Sequence, residues 1–292
     1  MESIVRKTVN KLNEYGKLVM FSHTVFSLGF AAVAFLAVSH GRPDPRIAFW
    51  AVLAFLGART GANALNRLVD AKIDARNPRT AGRQIPKGEI GKKETLLFVI
   101  VCFLVMVISA SQLNLLCLLL SPVALLLMTV YSYTKRFTWA CHLVLGITCA
   151  CAPVGAWLAV TGKFSLVPLF FGAANCLWTA GFDVIYGSQD YEFDQANGLH
   201  SIPVRFGVKG GLKISSLFHA AALLCLCAAG VLLYPQFGAI YAAGLGMIAV
   251  LMVIQHKMVS QDHLDNVNIA SYSISQITSL VLLVFGVLDV YL

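Results

Sequence analysis

Long apolar runs divide this chain, at 18–38, 47–66, 95–111, 113–132, 139–160, 164–184, 212–233, 237–257 and 269–291. Most are close to the roughly 20 residues that a helix needs to cross the hydrocarbon core of a bilayer. The expected fold is therefore an all-α integral membrane protein with nine transmembrane helices, forming a single domain over residues 1–292. Composition agrees. Of 292 residues, 58% are hydrophobic and 12% are charged, whereas soluble domains average about 25% charged.

The distribution of Lys and Arg orients the chain. Arg6, Lys7, Lys11 and Lys17 precede the first run, Arg67 through Lys93 fill the connection after the second, Lys135 and Arg136 follow the fourth, and Arg205, Lys209 and Lys213 follow the sixth. The opposite connections hold only Arg42, Arg46 and Lys163. The positive-inside rule then puts the N-terminus in the cytoplasm and, after nine spans, the C-terminus outside. The expected location is the cell inner membrane, multi-pass. The formal charge of +8 belongs to this cytoplasmic face, so no nucleic-acid partner is expected, and no obligate protein partner is indicated. Residues 1–17 are polar and mildly amphipathic, which suits an interfacial segment rather than a signal peptide. All eight cysteines fall inside apolar runs without a C-x-x-C pair, so they read as small core hydrophobes. His142, His219 and His256 lie near the ends of runs and are expected at the interface.

Two polar stretches interrupt this pattern, and they share a spacing. Asn63, Asp70 and Asp74 recur as Asp183, Asp190 and Asp194, at offsets that place three polar groups on one helical stripe. Each stripe ends an apolar segment, where an unpaired carboxylate costs roughly 2.5–3.5 kcal/mol near the bilayer centre. A lone D-x-x-x-D is usually a solvated helix end, with Asp70 and Asp74 paired to Arg67 or Lys72. The repetition argues against that reading. Facing aspartate pairs suit Mg²⁺, a hard cation that completes its shell with substrate phosphates. Arg76, Arg79, Arg83 and Lys87 follow the first pair on a loop opened by Asn77-Pro78, and guanidinium groups there could take phosphate oxygens in pairs. Glu192 lies off the second stripe, on its solvated side.

N-R-L-V-D-A-K-I-D-A-R-N-P-R-T-A-G-R at 66–83 and D-V-I-Y-G-S-Q-D-Y-E-F-D at 183–194 resemble the two aspartate motifs of the UbiA superfamily of intramembrane prenyltransferases. Y-S-Y-T-K-R at 131–136 and S-I-P-V-R-F-G at 201–207 are similar to its 4-hydroxybenzoate polyprenyltransferase branch. The resemblance implies a helical bundle around a central cavity, capped on the cytoplasmic side by loops at 67–94 and 185–211. It implies transfer of a prenyl chain from a polyprenyl diphosphate to an aromatic acid acceptor in ubiquinone or menaquinone biosynthesis. By motif, Asn66, Asp70 and Asp74 would hold one Mg²⁺, and Asp190 and Asp194 the other. Arg79, Arg83, Tyr131 and Lys135 would contact the diphosphate, and Asp183 would sit nearer the reacting carbon, with Asp70, Asp183 and Asp190 as the catalytic carboxylates.

The acceptor is read less directly. Members that use 4-hydroxybenzoate often carry an arginine in the first span, whereas Phe21 to Ser27 contains none. The K-L-V-M-F-S-H-T-V-F stretch looks more like the branch that prenylates 1,4-dihydroxy-6-naphthoate. His23 could bind an acceptor acid, or make only a helix-packing hydrogen bond. Haem, chlorophyllide or lipid-ether formation would use the same metal residues. A transporter would instead place its acids near the midplane at broken helices. The last three runs contain nothing that reads as catalytic.

Overall fold

The computed structural model describes residues 11, 13–19, 24–261 and 263–292. Among these the regular structure is helical, apart from one isolated bridge between Ser260 and His263. In chain order the helices are α1 (Thr24–Val38), α2 (Pro45–Asp74), α3 (Lys92–Leu113), α4 (Leu115–Thr134), α5 (Cys141–Thr161), α6 (Leu166–Gly187), α7 (Tyr191–Ala196), α8 (Ile202–Leu232), α9 (Ala239–Lys257) and α10 (Ile274–Tyr291). A 3₁₀ turn, Ser188–Asp190, joins α6 to α7, and a π turn, Ile269–Ser273, leads into α10. Eight helices among the described residues are long and apolar enough to cross a membrane, and α1 contributes a shorter apolar segment, Leu28–Val38.

Helix ends follow from local chemistry. Asp44 caps α2 by accepting from the Arg46 and Ile47 amides, and Pro45 sits at the first turn, where its missing N–H costs nothing. The 30 residues of α2 span about 45 Å, against a hydrocarbon core of about 30 Å. The helix is thus longer than a perpendicular crossing requires, and Asp70 and Asp74 lie in its last two turns. The helix stops at Asp74, just ahead of Asn77-Pro78 as expected. Two expectations are corrected. The 185–211 stretch is largely helical rather than a loop, because Ser201 caps α8 ten residues before the apolar run begins and Pro203 fits its first turn. A non-helical Gly207 (φ 71°, ψ 161°) then marks a kink within α8. The second aspartate stripe is also not one continuous helix, since the 3₁₀ turn re-aims the chain between Asp183 and Asp194.

Successive helices pack side by side from α2 to α6 and on through α8, α9 and α10, and α1 lies against α5 and α10. The larger core draws Phe30, Trp157, Phe171, Trp178, Leu226 and Ile248 from this second group of helices. A smaller one joins Leu18 and Val19 to α2, the 75–91 loop and α3 through Ala64, Ala71, Ile85 and Val99. Small residues set the close approaches, as expected where lipid supplies no hydrophobic drive between helices. A Cβ on Gly57 would lie 2.7 Å from the Cys102 carbonyl oxygen, and one on Gly146 would run into that of Cys176. Large aliphatic side chains such as Leu119, Leu217 and Leu224 face outward, where acyl chains rather than water would cover them.

Candidate active site

One cavity of about 220 Å³ collects the chemistry. The C-terminal half of α2, the 75–91 loop, the end of α4, the start of α5, the end of α6, and α7 all reach it. Asn66, Asp70, Asp74, Arg79, Arg83, Tyr131, Lys135, Asp183, Asp190 and Asp194 line it, together with Asn63. Both aspartate motifs thus serve one chamber. His23 lies outside the described residues.

The two motifs are tied together directly. Arg79 Nε and Nη2 donate to Asp190 Oδ1 and Oδ2 at 2.9 and 2.5 Å, a bidentate grip, and Asn77 Nδ2 donates to the same Oδ1 at 2.8 Å. The loop that follows the first motif therefore holds an aspartate of the second. Arg79 Nη1 also donates to the Tyr186 hydroxyl. Burial works against the charge of Arg79, yet the Asp190 carboxylate and the Tyr186 hydroxyl hold its pKa above the usual guanidinium range.

The other acids are paired too. Arg83 reaches Asp74 at 2.6 Å, Lys135 reaches Asp194 at 2.8 Å, and Arg136 reaches Asp70 at 2.9 Å. Burial opposes the charge on Lys135, and Asp194 more than offsets it, so its pKa is raised. These partners are not the Arg67 and Lys72 of the solvated reading. The wall holds five carboxylates (Asp70, Asp74, Asp183, Asp190, Asp194) and five basic side chains (Arg59, Arg67, Arg79, Arg83, Lys135). Each sign balances the other in a setting where unpaired charge is costly.

The carboxylates still have capacity. Asp74 Oδ2 and Asp194 Oδ2 are buried without a hydrogen-bond partner, which is unusual for native polar groups and points to a ligand at the site. Among the described residues no three His, Cys, Asp or Glu side chains form a metal cluster. That suits Mg²⁺, which takes one or two carboxylates plus phosphate oxygens rather than an all-protein cage. The residues present fit such an ion, provided a phosphate completes its shell.

Several wall residues were not legible as functional. Arg59, Asn63, Asn66 and Asp70 lie on one stripe of α2, with Arg59 eleven residues, or about 16 Å, below Asp70. Its Nε is buried without a hydrogen-bond partner. The missing arginine of the first run is thus matched by one in the second, and the overlooked signal was an arginine inside an apolar segment. Tyr272, from the region expected to be inert, also lines the wall and packs edge-on to Tyr186 at 4.9 Å. Burial corrects the histidines: His142 is 4% and His219 1% exposed. His142 Nδ1 meets Asp183 Oδ2 at 2.7 Å, while His219 Nδ1 meets His256 Nε2 at 2.9 Å away from the cavity. The described cysteines are free, with Cys141 and Cys149 in the cavity wall.

Known proteins resemble this chain in sequence and fold. A 4-hydroxybenzoate octaprenyltransferase of Shewanella pealeana is 30% identical over 254 residues, covering 86% of this chain and 87% of the relative. The apo structure of a UbiA homolog from Aeropyrum pernix K1 superposes with a TM-score of 0.83 at 31% identity, over 92% of this chain and 98% of that one. A UbiA homolog from Archaeoglobus fulgidus, solved with GPP and Mg²⁺, shares the fold at a TM-score of 0.73 and 20% identity, over 96% of this chain and all of that one. Residues 27–279 match the UbiA prenyltransferase family, and the chain belongs to it.

Proposed function

We propose that this protein transfers a polyprenyl group from a polyprenyl diphosphate to the ring of an aromatic hydroxy acid, 4-hydroxybenzoate or 1,4-dihydroxy-6-naphthoate, in quinone biosynthesis. The observation that carries the reading is the convergence of both aspartate motifs, four of their five aspartates beside an Arg or Lys, on one cavity in a membrane-embedded bundle. The names of the curated relatives favour 4-hydroxybenzoate.

Asn66, Asp70 and Asp74 would hold one Mg²⁺, and Asp190 and Asp194 the other. When bound, Mg²⁺ neutralises charge that develops on the diphosphate oxygens and so eases ionisation of the allylic carbon–oxygen bond. Arg79, Arg83 and Lys135 now sit on the carboxylates, and on loading they turn to phosphate oxygens, with the Tyr131 hydroxyl beside them. Little net charge enters the wall in that exchange. Arg59, deeper on the same face of α2, takes the acceptor carboxylate, which favours an acid over a lipid alcohol. Asp183, on α6 ahead of the 3₁₀ turn that carries Asp190, is assigned to the reacting carbons. The apolar walls keep water from the allylic cation, and the prenyl tail stays in lipid.

The fuller topology belongs to the same reading: nine spans counting α1, an interfacial segment at 1–17, and a cytoplasmic polar cap at 67–94 and 185–211 above the mouth. The test is to incubate purified protein with Mg²⁺, a polyprenyl diphosphate and either acid. A prenylated ring is expected, and it should disappear in Asp70→Asn and Asp190→Asn proteins that remain folded. Full turnover by both variants would refute the metal assignment.

A further inference from the structure

We propose that His142 is a positioning residue, which holds Asp183 as the base that takes the ring proton after the new carbon–carbon bond has formed. The inference rests on the transferase reading above and adds a residue to it.

The geometry comes first. His142 lies in the first turn of α5 and reaches across to α6, where its Nδ1 meets Asp183 Oδ2 at 2.7 Å. An ionised carboxylate can only accept, so Nδ1 carries the proton of this bond and the ring orientation is fixed by it. The two side chains differ in access: that of His142 is 5% exposed, that of Asp183 26%. His142 Nε2 is buried without a hydrogen-bond partner, and Asp183 is the more open of the two side chains to the cavity. The second carboxylate oxygen of Asp183 is the reachable one. Gly187 makes room for the ring, since a Cβ there would lie 3.1 Å from His142 Cε1.

Among the described residues no Arg or Lys forms an ion pair with Asp183. Each remaining acid of the cavity has an Arg or Lys at 2.5–2.9 Å, whereas Asp183 has an imidazole. A guanidinium or ammonium would hold the carboxylate strongly as an anion and make it a weak base. The imidazole instead orients it through the single Nδ1–H hydrogen bond. The proton step balances. The allylic carbon–oxygen bond breaks and its electron pair leaves with the diphosphate. A ring π pair then forms the carbon–carbon bond, and the electrons of the ring C–H bond restore aromaticity as the proton passes to Asp183.

The test compares His142→Ala, His142→Asn and Gly187→Ala with the wild type, using acceptor carrying deuterium at the ring positions that become prenylated. In His142→Ala, kcat should fall about 10- to 100-fold, part of the roughly 100- to 10,000-fold that a positioned base supplies. KM for the prenyl diphosphate should stay within about twofold. Proton loss then becomes slow, so a deuterium effect larger than that of the wild type should appear. His142→Asn, whose amide can replace the Nδ1–H donor, should recover most of kcat and the wild-type isotope effect. Gly187→Ala, which crowds the imidazole without touching its chemistry, should move in the direction of His142→Ala. In an Asp183→Asn background, His142→Ala should cost nothing more. Equal losses in the Ala and Asn variants without a changed isotope effect, or a further loss on top of Asp183→Asn, would overturn the proposal. A wild-type protein that prenylates neither acid would instead overturn the functional reading itself.

Discussion

Arg79 and Arg59 show what the residues of this site can and cannot announce from sequence. The aspartate spacing was legible, because offsets of seven and eleven carry their own geometry on a helix. Partner choice was not, because Arg136 on Asp70 and Asn77 on Asp190 are contacts between segments 66 and 113 residues apart. Arg59 was hidden for a different reason, lying inside a run that hydropathy alone had counted as a span. Its proposed task makes a specific prediction. Arg59→Ala should raise KM for the aromatic acid about 10- to 100-fold, the worth of a charge-assisted hydrogen bond of roughly 1.5–3 kcal/mol, while KM for the prenyl diphosphate stays unchanged. Steady-state kinetics with each substrate varied in turn checks it, and a shift confined to the diphosphate would reassign Arg59 to the mouth.

Helix α2 links the cavity floor, its mouth and the bundle. Its face toward α3 carries Gly57 and Gly61, and its cavity face carries the stripe from Arg59 to Asp74. Any Cβ at Gly57 would meet the α3 backbone. Gly57→Val should therefore destabilise the protein by about 1–3 kcal/mol through overpacking, seen as a lower Tm in detergent, and should weaken acceptor binding through the nearby Arg59. An unchanged Tm would mean that the two helices part without cost. The apolar runs foretold which segments become helices but not where they end. Polar turns that continue a helix beyond its apolar run, as in α2 and the first turns of α8, leave no mark in hydropathy, and the 3₁₀ turn at Ser188–Asp190 has no period of its own.

At the scale of the whole molecule, the all-helical bundle and the union of both motifs followed from the sequence, because lipid leaves the backbone few alternatives. The cavity did not, since its shape depends on how helices lean on one another. Orientation is the corresponding prediction. When the protein is expressed in a bacterium, alkaline phosphatase fused after Leu292 should be active and a green fluorescent protein fused before Met1 should fluoresce, as nine spans with a cytoplasmic N-terminus require. The reverse pattern would move the mouth to the other side. The central claim is that two aspartate rows share one metal-bound diphosphate. Calorimetric titration with an uncleavable prenyl thiodiphosphate tests it most directly. Binding to the wild type should require Mg²⁺, and Asp70→Asn and Asp190→Asn should each weaken it by at least the roughly 10- to 100-fold that losing a mere hydrogen-bond partner of a metal ligand costs. Tight binding after chelation of divalent ions, or wild-type affinity in either variant, would contradict the account.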